Sequence, residues 1–192
     1  MKPISLTRPF LGLIILFLMQ ACSEPQDTFS QEERTTVAVT LVSTSASYDQ
    51  VNIDIKNVLL KVVDNESDPN CWLSLDADNT GVFNMSELSQ AGSTLLVGDR
   101  DIPEGVMYEI WLELGENNFL VKDGQTFDLS TPYAHQSGLK VRSQMLLKAD
   151  NSYGFELQFH LEESIVETNV DGYFILKPVL SLDSNTYYPI GS

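Results

Sequence analysis

The feature that most constrains the fold of this chain is an alternation of apolar and polar residues with a period of two. It recurs in short segments that are separated by Gly, Asn, Asp or Ser. The clearest segments cover residues 37–41, 51–62, 108–114, 119–121, 125–129, 153–161 and 173–182. Because successive side chains of a strand point to opposite faces, the pattern predicts antiparallel sheets with one buried face. Several such strands in 192 residues predict an all-β sandwich or barrel.

Turns and helical stretches complete this outline. Lys122-Asp123-Gly124 separates two alternating segments and is typical of a β-hairpin. Helical periodicity is nearly absent, and only residues 85–90 and 162–167 could each form one or two short helical turns. Pro178 falls inside the last apolar segment, which predicts an edge strand or a bulge there.

The first 21 residues have the form of a signal peptide. Lys2 and Arg8 give a positive start, and residues 10–19 read FLGLIILFLM. This run is too short to span a bilayer core, which takes about 20 residues, and it fits the apolar region of an export signal. Gln20-Ala21-Cys22 then resembles the bacterial lipobox, in which a small residue precedes a cysteine that receives diacylglycerol. An ordinary secretory signal with an incidental cysteine is the alternative.

These features predict three parts of the chain. Residues 1–21 are the lipoprotein signal peptide, residues 22–34 a flexible tether that carries lipid on Cys22, and residues 35–192 the β domain. The membrane is therefore a predicted partner, and the cell envelope is the predicted location. Ser23 after the cysteine resembles the pattern that directs lipoproteins to the outer membrane. With Cys22 lipidated, Cys71 is the one remaining cysteine, so no intramolecular disulfide can form.

The charge balance excludes one class of partner. The chain has 27 acidic and 11 basic residues, and two of the basic ones, Lys2 and Arg8, lie in the predicted signal peptide. A mature domain this acidic repels phosphate backbones and anionic lipid head groups. Nucleic acid is therefore not expected as a ligand, whereas cations, an envelope protein or a polysaccharide stay compatible with the composition.

Seven short motifs, in order, make the domain similar to a known family of exported proteins. They span residues 48–179 and read YDQV, CWLSL, IPEG, LGENN, QSGLK, SIVET and ILKPV. The chain resembles the family known as domain of unknown function 4382, which is common among bacterial lipoproteins. The resemblance implies a β-sandwich related to immunoglobulin-like or transthyretin-like modules. It implies no established activity.

One loop matches a metal-binding template. Residues 76–87 read DADNTGVFNMSE, which fits the calcium-loop pattern except at Thr80. Calcium prefers six to eight oxygen ligands, and alternate positions of a tight loop can supply them. The candidate ligands are Asp76, Asp78, Thr80, Asn84 and Glu87. A polar turn followed by a short strand is the alternative, because residues 71–75 are predicted to be a strand where the calcium loop normally follows a helix.

A second candidate site lies around Trp111. Glu109 and Glu113 flank this tryptophan on the predicted outer face of a strand, while the residues predicted to face the core are Tyr108, Ile110, Leu112 and Leu114. Carboxylates beside an indole are typical of carbohydrate recognition. Four residues of a strand span about 13 Å, which is longer than the roughly 5–9.5 Å between the two acids of a glycosidase. The pattern therefore predicts a saccharide-binding surface or, alternatively, a tryptophan packed under a loop.

The remaining residues do not assemble a catalytic set. The chain has two histidines, His135 and His160, and it lacks both a nucleophile elbow and a phosphate-binding loop. We therefore expect a non-catalytic binding or interaction module and no cofactor other than calcium. Two alternatives stay open: an accessory hydrolase with a site built from loops, and a structural adhesin or envelope subunit that pairs through an exposed strand edge.

Overall fold

The computed structural model describes residues 33–132 and 138–189. The predicted signal peptide and Cys22 lie outside the described residues, as does His135. Thirteen strands and two short helices occur in the described part of the chain. The strands are β1 Arg34–Ser43, β2 Gln50–Lys61, β3 Trp72–Ser74, β4 Gly81–Asn84, β5 Ser93–Pro103, β6 Gly105–Leu114, β7 Phe119–Lys122, β8 Gln125–Ser130, β9 Leu139–Leu147, β10 Asn151–Phe159, β11 Ile165–Glu167, β12 Phe174–Leu176 and β13 Leu180–Pro189. The helices are α1 Met85–Ala91 and α2 Leu161–Ser164.

The strands form two sheets in a sandwich-like arrangement, which confirms the all-β prediction. The smaller sheet has four strands in the order β13-β10-β1-β5. The larger has nine, with the main order β11-β12-β8-β7-β2-β6-β9, and β3 and β4 pair with β2. Apolar side chains of both sheets meet in one hydrophobic core, which includes Val39, Ile53, Ile110 and Phe155.

The antiparallel prediction is wrong for two strand pairs. β1 runs parallel to β10, and β12 runs parallel to β8, whereas the other pairings between described strands are antiparallel. The physical reason is that strand direction leaves the side-chain period unchanged at two residues. Alternation in the sequence therefore identifies a strand without identifying the direction of its neighbour.

Two bulges shift the alternation within long strands. In β2 the core residues change phase between Ile55 and Val58, where the register with β6 shifts at Lys56. In β6 the buried residues are Met107 and then Ile110, and the register with β9 shifts at Tyr108. The prediction that Tyr108 faces the core is therefore wrong, because the extra residue of a bulge in β9, at Ser143 and Gln144, disturbs the regular alternation of β6 beside it.

The turns and helices mostly lie where the sequence predicts them. β7 and β8 form a hairpin, and Asp123 and Gly124 in its turn both have positive φ, which a two-residue turn of type I′ requires. The side chain of Asn84 caps α1 by accepting hydrogen bonds from two backbone N–H groups of its first turn. Pro178 is in neither an edge strand nor a bulge, since it lies between β12 and β13.

Cys71 is free and buried, in agreement with a structural role. None of the described helices is long and apolar enough to cross a membrane. The core thus stabilises the domain by burial of apolar surface, and the outer sheet faces are left for other roles.

Candidate functional site

The outer face of the larger sheet carries an aromatic and charged surface where β3, β2, β6 and β9 lie side by side. Strand register places Trp72, Lys61, Glu109 and Arg142 in one row across these strands. The next row contains Ser74, Leu59, Trp111 and Lys140. We call the surface formed by Lys61, Trp72, Glu109, Trp111, Lys140 and Arg142 the tryptophan face.

The two tryptophans contact each other across the intervening strand. Their ring centroids lie 5.3 Å apart with an interplanar angle of 70°. The ammonium of Lys140 lies 4.6 Å from the centroid of Trp72 and 4.9 Å from that of Trp111. Both distances are within the range of cation–π attraction. The rings therefore form two walls around a cation, and in this structure the cation is a lysine of the same chain.

Beneath this pair, Lys61 lies at the centre of a cluster of carboxylates. Its side chain is 5% exposed, and its Nζ lies 3.4 Å from Glu109, 3.6 Å from Asp64 and 3.7 Å from Glu66. Burial opposes the charged form of this lysine, but the neighbouring carboxylates, Glu109 first, outweigh that effect and raise the pKa of Lys61. The cluster fixes the Glu109 carboxylate in place at the border of the tryptophan face.

A polar cavity adjoins the cluster. It has a volume of about 280 Å³ and is lined by Lys61, Asp64, Glu66, Tyr108, Glu109, Arg142 and Gln144. Opposite Tyr108, β9 has a bulge with one extra residue, formed by Ser143 and Gln144, and Gln144 has a positive φ of 53°. A non-glycine residue in this conformation is uncommon, and paired irregularities of this kind often re-aim side chains toward a binding site. The cavity is therefore shaped by a local departure from regular sheet geometry.

The structure brings part of the predicted carbohydrate site together and adds residues that the sequence did not indicate. Glu109 and Trp111 lie on the predicted outer face, and Glu113 lies two residues further along β6, opposite Asn57. Trp72 and Lys140 were not predicted, because they come from strands that meet β6 only through the tertiary fold. Asp64 and Glu66 lie in the exposed turn after β2, and their carboxylates pair with Lys61.

The predicted calcium loop lies along the open edge of β5. The backbone N–H groups of Asp78 and Asn79 donate to the carbonyl of Leu96, at 2.8 and 3.3 Å. The Asp78 carboxylate accepts from Gly98 N–H at 2.8 Å and from the Arg100 guanidinium at 3.2 Å. These bonds occupy backbone groups of an edge strand that could otherwise pair with another chain. The loop thus covers a sheet edge.

The other candidate ligands of the loop have separate roles. Asp76 accepts a hydrogen bond from the Ser74 hydroxyl at 2.7 Å, and Asn84 is the cap of α1. Glu87 lies in the first turn of that helix, and Thr80 is exposed. Within residues 33–132 and 138–189, no group of three or more His, Cys, Asp or Glu side chains is placed to hold a metal ion. The calcium site stays a prediction.

A second cavity is apolar. It has a volume of about 130 Å³ and is lined mainly by aliphatic side chains, among them Val62, Leu73, Ile102 and Met107, with Glu104 as its one charged residue. Ligand sites usually combine an apolar lining with several convergent polar groups. This cavity lacks that combination, so the tryptophan face is the stronger candidate site.

Comparison with known proteins gives one match. A family model described as a domain of unknown function, DUF4382, matches residues 34–178. The matched range includes every strand from β1 to β12 and every residue of the tryptophan face, and it ends before β13. No curated protein and no solved structure matches the chain.

Proposed function

Because the chain belongs to the DUF4382 family, whose description assigns no activity, we propose its function from the site itself. We propose that the protein is a lipoprotein of the cell envelope. Its β-sandwich binds a ligand through the tryptophan face and does not catalyse a reaction. The observation that carries this proposal is the pair of partly exposed tryptophans with Lys140 between them. Tryptophan and arginine are the residues that most often dominate binding energy at interfaces.

The support beneath the face favours binding. Trp72 and Trp111 extend from β3 and β6, which both pair with β2, so their backbones are held by the nine-stranded sheet. Lys61 holds Glu109 at the border of the face. A site on rigid strands is better preorganised than a site on loops, and it loses less conformational entropy when a ligand binds.

The same contacts disfavour a catalytic role for the two glutamates. The Glu109 carboxylate is paired with Lys61 and is 14% exposed, so little of it is open to a substrate. Glu113 is four residues away on the same strand, at a separation of about 13 Å, which is too long for a pair of glycosidase acids. The face is therefore better suited to recognition than to acid–base chemistry.

The anchoring part of the proposal depends on Cys22. Cells that express the Cys22→Ser variant should accumulate uncleaved precursor or soluble protein, because the thiol that receives lipid is missing. Labelling with radioactive palmitate and fractionation of membranes measure the result. A variant that still incorporates palmitate and sediments with membranes would exclude Cys22 as the lipid site.

The binding part can be tested in the native envelope. A photo-reactive amino acid in place of Glu113, beside the tryptophan pair, should form a cross-linked adduct upon irradiation of intact cells. The same amino acid in place of Glu156, an exposed residue of β10 in the other sheet, is the matched control.

The adduct should disappear when Trp72→Ala is added to the Glu113 variant and persist when Tyr173→Ala, an exposed aromatic residue outside the face, is added instead. Equal adducts at both positions, or none at position 113, would contradict the proposal. So would an adduct that survives the Trp72→Ala change.

A further inference from the structure

We propose that Trp72 and Trp111 form a two-walled cage for an organic ammonium group, and that Lys140 occupies the cage until such a ligand displaces it. The inference rests on the proposed function, because it names the ligand class of the same tryptophan face. The chemical class is a methylated or otherwise weakly hydrated ammonium, free or as the head group of a larger molecule.

Ring geometry is the first argument. With an angle of 70° between them, the two indoles present two walls and not a flat floor. A sugar ring stacks on one open aromatic face, whereas a compact cation can contact two inclined faces at once. Lys140 shows that a cation fits, since its ammonium lies within 5 Å of both ring centroids, at 4.6 and 4.9 Å.

A comparison with a second lysine gives the next argument. Lys122 also lies over an aromatic ring, at 5.7 Å from the centroid of Phe174, but a salt bridge of 2.8 Å to Glu167 accounts for its position. Lys140 differs, because it forms no ion pair with any carboxylate of the described residues. The two rings are therefore the contacts that hold its ammonium.

Hydration explains why a ligand could replace Lys140. A lysine ammonium is compact and strongly hydrated, and its four-carbon stem is flexible. Lys140 is an exposed residue of β9, so its head group can move into solvent without disturbing the core. A quaternary ammonium has less hydration to lose when it enters an aromatic cage, which favours it over the resident lysine.

Charge around the cage favours a cation over an anion once Lys140 has left. Glu109 and Glu113 flank Trp111 on the same face of β6. Asp64 and Glu66 lie beside the first of these around Lys61. The four carboxylates then outnumber the two remaining cations, Lys61 and Arg142. An acidic ligand would instead require Lys140 to stay, so the two ligand classes predict opposite effects of removing this lysine.

The experiment uses tryptophan fluorescence, because the chain contains two tryptophans and both lie in the cage. The lipidated protein, in a non-ionic detergent, is titrated with tetramethylammonium chloride, with sodium chloride at equal concentration as the control. We expect a saturable change with tetramethylammonium only. Lys140→Ala should tighten binding roughly tenfold, because the internal competitor is gone. Lys140→Arg keeps a cation in place and should bind like the wild type or more weakly.

Two tryptophan variants complete the test. Trp111→Ala should abolish the response of the remaining Trp72, and Trp72→Phe, which keeps an aromatic ring, should weaken binding only in part. Melting curves establish that each variant is folded. Tighter binding by Lys140→Ala supports the cage. Unchanged or weaker binding by this variant overturns it, as does an equal response to sodium.

The outcomes separate this inference from the proposed function. If the position-113 adduct depends on Trp72 while tetramethylammonium fails to bind, the tryptophan face binds a ligand of another class and the cage is wrong. A response to methyl glucoside that Lys140→Ala leaves unchanged would identify a saccharide surface and also overturn the cage. If the adduct at position 113 still forms after the Trp72→Ala change, the proposed function is wrong whatever the result of the titration.

Discussion

The two faces of β2 and β6 differ although the same strands form both. On the inner face Val58, Leu60 and Ile110 are fully buried in the common core. On the outer face, in register with them, Leu59 lies opposite Trp111 and Lys61 lies opposite Glu109. One face is apolar throughout, and the other alternates aromatic rings with paired charges.

This difference shows that the fold and the site depend on different properties of the sequence. The inner face needs only side chains of suitable size at every second position, and the buried area stabilises the fold without regard to identity. The outer face depends on which residues of different strands become neighbours. Its chemistry is therefore set by register, and a shift of one residue would disperse the tryptophan pair and the Lys61 cluster together.

The largest expected effect on stability concerns two adjacent leucines of β2 that lie on opposite faces of the sheet. Leu60→Ala should lower the free energy of unfolding by about 2–5 kcal/mol, because it leaves a cavity in the core. Leu59→Ala, at a partly exposed position, should cost about 1 kcal/mol. Urea denaturation followed by circular dichroism measures both. Equal losses for the two variants would show that the outer face also contributes a packed layer.

A second prediction tests the end of the outer face, where the turn after β6 covers Asp54. A Cβ on Gly115 would overlap the Asp54 carboxylate, whereas a Cβ on Gly98 would lie 3.4 Å from the nearest side-chain atom, in Leu95. Gly115→Ala should therefore destabilise the domain by about 1–3 kcal/mol through overpacking. Gly98→Ala, the matched control, should change stability by less than about 0.5 kcal/mol. A neutral Gly115→Ala would mean that the turn moves freely away from β2.

Much of the fold could be predicted because apolar and polar residues alternate regularly within most individual strands. The alternation from Val37 to Leu41 marks β1, and Asp123-Gly124 marks the hairpin between β7 and β8. The parallel pairing of β1 with β10 could not be predicted, since it joins distant parts of the chain without changing the local pattern. Tyr108 was misplaced because a bulge is set by the register with β9 and leaves no mark in the alternation of β6 alone.

The candidate site could be predicted only within one strand. Glu109 and Trp111 share a strand, so their common face follows from spacing. Trp72 and Lys140 join them only through two separate strand pairings, with β2 and with β6. The loop at residues 76–87 shows the reverse, because its local sequence suggested a site that its tertiary contacts do not follow. The sequence matches a metal-binding template, whereas the backbone of the loop and the Asp78 carboxylate bond to the edge of β5.

A third prediction concerns the edge strand β5 and the loop at residues 76–87 that covers it. If the loop serves to cover β5, Asp78→Ala should cost about 1 kcal/mol with or without calcium, because Gly98 N–H and Arg100 lose an acceptor. If the loop binds calcium, saturation should raise the melting temperature of the wild type, and Asp76→Ala or Glu87→Gln should abolish that rise.

Thermal melts with calcium, and with magnesium as the control, distinguish these outcomes. A rise specific to calcium, together with an unchanged or higher calcium-free midpoint for Asp78→Ala, would establish the metal site and contradict the edge-covering role. Equal responses to the two ions would leave the loop as a turn.

The smallest effect is confined to alkaline pH and concerns Lys61, the most buried charge of the outer face. Its pKa is raised in the folded state, so its charge stabilises the fold fully below the unfolded value of about 10.4 and this contribution is lost as pH rises through the folded value. Lys122, whose pKa its hydrogen bond to Glu167 raises, and Tyr48, whose pKa burial raises, change stability in the same direction. Wild type and Lys61→Met should therefore both lose stability above about pH 10.4, the variant less steeply. Lys122→Met, which removes the other lysine whose pKa is raised, should flatten the profile in the same direction. Parallel pH profiles for wild type and Lys61→Met in urea titrations would show that the carboxylates around Lys61 do not stabilise its charge.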